Sequence, residues 1–102
     1  MKPKTPLWYL YVIRTKDNAL YTGITTDVER RFQEHQSGRG AKYLKGKMPL
    51  LLVYSVQLAH HSVALKAEYR LKQLSKKQKE HIVATAPDML SLLTLLKLNS
   101  GD

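Results

Sequence analysis

The 102-residue chain contains no cysteine. Disulfides, thiolate zinc sites and cysteine nucleophiles are therefore excluded, and the composition suits a reducing compartment. No apolar run is long enough for a signal peptide or a membrane span, so the expectation is a soluble cytoplasmic protein without a membrane partner, free to associate with the nucleoid. There is no internal repeat and no low-complexity segment. Acids are scarce where bases are dense. Residues 30–79 carry 12 of the 17 Lys and Arg but only Glu34 and Glu68 of the 8 acids, a local charge of +10 that leaves the rest of the chain at −1. A positive field this concentrated attracts polyanions, nucleic acid before anionic membrane. The same lysines also suit a solvated helix face that keeps the protein in solution. With 43% hydrophobic residues, the chain has the composition and length of one globular domain, residues 1–102, around one core.

Leu7 to Ile13 and Leu20 to Thr25 are rich in strand formers. Between them, Lys16-Asp17-Asn18 supplies turn residues, which predicts a β-hairpin. Pairing Tyr11 with Tyr21, Tyr9 with Gly23 and Val12 with Leu20 puts Trp8, Leu10, Val12, Leu20 and Ile24 on one face. Tyr9, Tyr11 and Tyr21 then share the other. The apolar face makes core, and the phenol face calls for a separate explanation.

Thr26-Asp27-Val28-Glu29 reads as a capping box opening a helix that runs to about Ser37, with Gly38 as its stop. On that helix Val28, Arg31, Phe32 and His35 fall within one sector of about 60°. Val28 and Phe32 demand the core, which turns Arg31 and His35 inward or along its rim, while Arg30 lies outside. Residues 38–49 hold Arg39, Lys42, Lys45 and Lys47 with three glycines and Tyr43, the makings of a flexible basic arm for a phosphate backbone or of a mobile surface loop. Leu50 to Val56 is almost wholly apolar, as in a central strand buried on both faces. A helix from about His61 to Leu74 has Ala64, Ala67, Leu71 and Leu74 as its buried stripe, with Glu68 at the edge. Ser75-Lys76-Lys77-Gln78 is a second capping box, and a last helix over about 87–98, ended by Asn99-Ser100-Gly101, supplies leucines to the core. The expected fold is a small α/β domain of the α+β type, three strands with helices packed against them.

Tyr9-Leu10-Tyr11, followed after ten residues by Tyr21-Thr22-Gly23, with Arg31 and His35 on the next helix and Glu68 on a later one, resembles the GIY-YIG nuclease domain, and most closely its small stand-alone members. The resemblance covers roughly residues 7–80. It implies a three-stranded antiparallel sheet flanked by helices, and a DNA endonuclease of repair or processing that uses one Mg²⁺ or Mn²⁺ ion. It also implies roles. Tyr11 and Tyr21 match the motif tyrosines, with Tyr9 and Gly23 as motif positions. Arg31 matches the residue that holds the scissile phosphate, His35 a histidine found in several branches, and Glu68 the metal-binding carboxylate. Thr22 replaces the motif isoleucine, Ile24 stands where some members carry a lysine, and Glu80 where some carry an asparagine.

Hydrolysis of a phosphodiester needs an attacking water, a counter-charge for the phosphate and help for the leaving oxygen. One carboxylate suffices for Mg²⁺, which keeps several waters. Arg31 offers a bidentate clamp. Tyr11, Tyr21 and His35 are all candidates to take the proton of the attacking water. Arg30, Arg39, Lys42, Lys45, Lys47, Arg70 and Lys72 are candidate nucleic-acid contacts, with DNA the expected partner and RNA a second, and a protein partner would supply targeting. A bland reading stands beside this one. Strand tyrosines usually pack, an inward Arg31 pairs with an acid such as Glu68, and Tyr43 and Tyr54 either stack on bases or fill the core. The alternative function is a nucleic-acid-binding module of the same fold without catalysis.

Overall fold

The computed structural model describes residues 6–98; the expected stop at Asn99-Ser100-Gly101 lies outside them. The elements are β1 (Trp8–Arg14), β2 (Leu20–Thr25), α1 (Val28–Gln36), β3 (Leu51–Leu58), α2 (His61–Lys72), α3 (Lys76–Thr85) and α4 (Met89–Leu95). The three strands form one antiparallel sheet in the order β2-β1-β3. The middle strand is therefore β1, the most uniformly buried of the three.

Two expectations about the sheet are corrected. The hairpin pairs Tyr11 with Gly23, Ile13 with Tyr21 and Tyr9 with Thr25, a slip of two residues from the expected register. Side chains alternate with a period of two, so a slip of two leaves every residue on its expected face. The loop between the strands is closed by Thr15, whose backbone N–H donates to Ala19 O at 2.9 Å while its Oγ1 accepts from Ala19 N at 3.0 Å. Asn18 takes a left-handed φ of 67° there, which asparagine tolerates better than most residues. The second correction concerns β3. It is an edge strand with Leu51 and Leu52 exposed, and only Tyr54 and Leu58 are fully buried. A continuous apolar run and an edge strand with exposed leucines look alike in one dimension.

The two faces carry two cores. Leu10 and Val12, with half-buried Trp8, Leu20 and Ile24, pack against Val63, Ala64, Ala67 and Leu71 of α2, Ile82 of α3 and Leu92 and Leu93 of α4. Tyr11 and Ile13 of β1 pack on the opposite side with Leu44 and Leu50, flanked by Tyr21, Val28 and Phe32. Tyr54 belongs to the first core, its hydroxyl donating to Pro87 O at 2.6 Å, so packing explains it.

Local signals set the helix ends, with some revisions. The N-cap of α1 is Asp27, one residue after the expected Thr26, and its carboxylate accepts from Arg30 N at 3.0 Å. The turn before it is closed by Thr25, whose Oγ1 accepts from Asp27 N at 3.1 Å. Gly38, at φ 82°, follows the C-cap Ser37, a left-handed conformation that glycine takes without strain. The Ser75–Gln78 capping box of α3 is formed in both directions. Helix α2 stops at Lys72, and α4, capped by Asp88, covers Met89–Leu95 rather than 87–98.

The hairpin is tied to α3 by Glu80, which accepts from both terminal guanidinium nitrogens of Arg14 at 2.7 Å and pairs with Lys76 at 2.8 Å. The Arg14 and Lys76 hydrogen bonds hold its carboxyl down at about 2, against an ordinary 4.5. A depressed folded-state pKa stabilises the fold above the unfolded value and loses that contribution as pH falls through the folded one. Thermal melts from pH 7 to pH 2 are expected to show stability falling between about 4.5 and about 2, with a shallower fall in Glu80→Gln. Parallel curves for the two proteins would mean that the pair contributes nothing.

Candidate active site

The phenol face of the hairpin and the inner face of α1 meet around Tyr11. This residue is 2% exposed, unusually deep for a side chain with a hydroxyl to satisfy. Its ring reaches across to β2 over Gly23, the residue opposite it in the ladder. A Cβ at Gly23 would lie 2.6 Å from Tyr11 Cζ and closer still to the hydroxyl. Gly23 is thus required by the phenol above it. Gly23→Ala is expected to displace the ring and to cost about 1–3 kcal/mol through overpacking, read as a lower midpoint in urea at unchanged slope.

Helix α1 supplies the partners. His35, 1% exposed, has Nε2 2.8 Å from the Tyr11 hydroxyl, and its Nδ1 accepts the backbone N–H of Ala41 at 3.0 Å. Burial, with the nearby Arg31 charge, pushes its pKa below the usual imidazole value, Glu34 opposing. Arg31 donates to Glu34 Oε1 at 2.9 Å, so its acid partner is Glu34 and not Glu68. Its guanidinium lies near enough to the Tyr11 hydroxyl to favour the phenolate. Burial still dominates, with Tyr21 adding to it, and the Tyr11 phenol is pushed up to about 12.

Tyr21 lines the outer side of this group. Its ring stands edge-on to His35, with centroids 5.6 Å apart, and lies parallel to Tyr43 at 6.0 Å. Lys47 Nζ sits 4.4 Å from the Tyr43 ring centroid. Tyr43 is 49% exposed, so an aromatic wall leads from the buried Tyr11 hydroxyl to solvent. Tyr9, half-buried, pairs with Thr25 at the far end of the hairpin.

Segment 38–49 is a packed loop rather than the flexible arm expected from its glycines and lysines. It contains a single 3₁₀ turn at Lys42–Leu44 with Leu44 fully buried. Lys47 O accepts from Lys16 N at 3.0 Å, and Gln36 Oε1 from Leu50 N at 3.0 Å. Lys42 and Lys45 remain exposed on it, while Lys47 pairs with Asp17 at 3.5 Å. The signal for this packing was Leu44 in an otherwise polar run.

Glu68 stands at the edge of the α2 stripe, its side chain 22% exposed and 3.2 Å from Lys72 Nζ. Its charge reaches Tyr11, whose pKa it helps to raise. Among the described residues there is no group of three or more His, Cys, Asp and Glu able to hold a metal ion. A cation at Glu68 would therefore draw on few protein ligands. Mg²⁺ and Mn²⁺ fit such a donor set, since water and phosphate oxygens complete their coordination, and the exposed Lys72 ammonium is easily displaced.

The other basic candidates divide. Arg30 is exposed and pairs with Glu34 at 3.3 Å, and Arg39 donates to Ser37 Oγ at 3.1 Å. Arg70 follows Glu68 by two residues, about 200° around the helix, and donates to Leu96 O at 2.8 Å at the end of α4. It is occupied on the flank of α2 away from Glu68. Gly40 and Ala41, beside His35, are site residues that no sequence motif marks, because a backbone N–H leaves no signature in a sequence.

The sheet order β2-β1-β3, with Tyr11 on β1, Tyr21 on β2, Arg31 and His35 one turn apart on α1 and Glu68 on α2, agrees with the arrangement expected of a GIY-YIG domain. Residues 7–81 match the GIY-YIG catalytic domain family, and the chain belongs to it. It is 60% identical over 90 residues to the UPF0213 protein YhbQ of Escherichia coli K12, covering 88% of this chain and 90% of that one. A YhbQ of Shigella boydii serotype 18 is 59% identical over the same length, with the same coverage. The solution structure of the UPF0213 protein BH0048 of Bacillus halodurans superposes with a TM-score of 0.54 at 38% identity, covering 91% of this chain and 99% of that one. That of EF2693 from E. faecalis gives 0.57 at 40% identity, covering 83% and 90%. No helix among the described residues is long and apolar enough to cross a membrane.

Proposed function

We propose that this protein is a divalent-metal-dependent DNA endonuclease acting in repair or processing in the bacterial cytoplasm, selective for DNA structure more than for sequence. The observation that carries the reading is the buried Tyr11 hydroxyl, held by His35, beside Arg31 and within reach of the Glu68 charge. Core packing alone gives no reason to bury a phenol and an imidazole together beside a half-exposed guanidinium.

The proposed roles use this geometry. Arg31 is 35% exposed and can exchange Glu34 for a phosphate oxygen, making charge-assisted hydrogen bonds. Tyr11, as the phenolate, accepts a proton from the attacking water. The water oxygen bonds to phosphorus, the P–O3′ bond breaks, and the 3′-oxygen leaves with its electron pair and takes a proton from solvent. A cation at Glu68, when bound, supplies Lewis-acid stabilisation of the phosphate and the leaving oxygen. Lys42 and Lys45, with Arg39, extend a positive surface beside Tyr43 for the flanking backbone, and a protein partner would supply any further targeting. Because the Tyr11 phenol sits at about 12, its active fraction grows roughly tenfold per pH unit below that value. The cleavage rate is accordingly expected to rise with pH between 6 and 9.

The test is a cleavage assay. End-labelled single-stranded, duplex, flap and branched DNA is incubated with the protein and Mg²⁺ or Mn²⁺, with EDTA as control. Metal-dependent product supports the nuclease. Salt-sensitive binding with no product from any substrate would instead establish a binding module without catalysis, a reading that the raised Tyr11 pKa and Ile24 in place of a lysine favour.

A further inference from the structure

We infer that Gly40 and the backbone N–H of Ala41 are positioning elements of this site. They hold His35 in the tautomer that donates to Tyr11, so the imidazole supports a phenolate and does not take the proton of the attacking water. The inference rests on the nuclease reading for its role in catalysis, though not for its geometry.

Each ring nitrogen of His35 has one partner. Nδ1 lies 3.0 Å from Ala41 N, and Nε2 lies 2.8 Å from the Tyr11 hydroxyl oxygen. A backbone N–H can only donate, so Nδ1 accepts and carries no proton. The ring is 1% exposed, and its surroundings, burial and the Arg31 charge, favour the neutral form. A neutral imidazole with a bare Nδ1 keeps its proton on Nε2. That proton points at the Tyr11 oxygen. The other tautomer would set two donors against each other across 3.0 Å inside the core, and leave Tyr11 as the only possible donor to Nε2.

This arrangement decides between roles that the residue types leave open. A histidine whose only bare nitrogen faces a backbone N–H has no lone pair for water or phenol. What it does supply is a fixed donor to the Tyr11 oxygen, a bond that strengthens as the phenol ionises. The Tyr11 hydrogen is freed to point elsewhere in the site.

Gly40 makes the arrangement possible. A Cβ there would lie 2.8 Å from His35 Cα and 2.9 Å from Cε1, and nearer still to Nδ1. Cα is backbone and cannot swing aside, so any side chain at position 40 must lift the loop from the ring. The loop is pinned beyond that point by buried Leu44 and by Tyr43 on Tyr21. Displacement at Gly40 is therefore transmitted to the Ala41 N–H and to the aromatic wall.

Two measurements test this on the full-length protein. The first is a long-range ¹H–¹⁵N spectrum of the uniformly labelled wild type, which reads the protonation of each imidazole nitrogen and needs no variant. The expected result for His35 is a protonated Nε2 and a bare Nδ1; a proton on Nδ1 overturns the inference. The second compares wild type and Gly40→Ala by the same spectrum and by cleavage kinetics, with the methyl signals of Leu71 and Ile82 reporting that the distant core is intact. Gly40→Ala is expected to shift the His35 ring and Ala41 amide signals and to lower kcat about 10- to 100-fold, with KM little changed, as loss of alignment does. Unmoved His35 signals, or a moved ring with unchanged kcat, overturn the positioning role. A wild type that shows the expected tautomer but cuts no DNA supports the hold on His35 and overturns the nuclease reading instead.

Discussion

Glu68→Gln is expected to abolish metal-dependent cleavage while leaving the fold and DNA affinity nearly intact. The substitution keeps the shape of the side chain and removes the carboxylate charge proposed to hold a cation at the edge of α2. Lewis-acid stabilisation is worth several kcal/mol, so the rate should fall by about three orders of magnitude or more. The structural cost is small, because the pair lost is with Lys72, half exposed at 3.2 Å, and such pairs contribute about 0–1 kcal/mol. A second readout separates charge from base. Glu68 raises the pKa of Tyr11, so its neutralisation should let the phenol ionise at lower pH, visible as phenolate absorbance that Tyr11→Phe removes. Activity lost while the phenol becomes easier to ionise assigns the loss to the cation. A Glu68→Gln protein that cuts as fast as wild type would place the metal elsewhere.

Tyr11→Phe should cost both activity and stability. It removes the proposed proton acceptor, a loss of about 10²- to 10⁴-fold for general base catalysis. It also leaves the Nε2–H of His35, at 1% exposure, facing a ring carbon. An unsatisfied buried donor costs about 1–3 kcal/mol, which in a domain near this size lowers Tm by about 4–8 °C for each kcal/mol. Tyr21→Phe is the control. Tyr21 is half-buried and lies at the aromatic wall, so its ring contacts survive the loss of the hydroxyl. If Tyr21→Phe proves inactive and Tyr11→Phe active, the proton passes to the outer tyrosine and the Tyr11–His35 pair is structural.

Much of the fold was legible because local rules and tertiary packing agree. The alternation in Trp8–Arg14 sorts apolar from phenolic side chains whichever even register the hairpin takes, and both faces were correctly assigned although the register was not. The Ser75–Gln78 box opens its helix and Gly38 closes the one before the loop, each where its chemistry says it should. The errors fall where the deciding partner is distant. Leu51 and Leu52 lie on an edge strand because β1, not β3, takes the middle of the sheet. The basic loop looked free because its glycines and lysines outnumber buried Leu44, and because the imidazole of His35 that also anchors it lies on α1. Arg70 looked like a phosphate ligand and is spent on Leu96 O.

The order and chemistry of Tyr11, Tyr21, Arg31, His35 and Glu68, the concentration of positive charge over residues 30–79 and the absence of cysteine were set by the amino-acid sequence alone. Periodicity placed the two tyrosines on one face and Arg31 with His35 on one side of a helix, because those are properties of a few neighbouring residues. Tertiary structure alone decided that Tyr11 is buried over Gly23, that Glu34 rather than Glu68 neutralises Arg31, and that the N–H of Ala41 directs the His35 proton toward the phenol. Each depends on which groups meet across the fold, and in a buried site the position of a proton is set by the donors and acceptors around it.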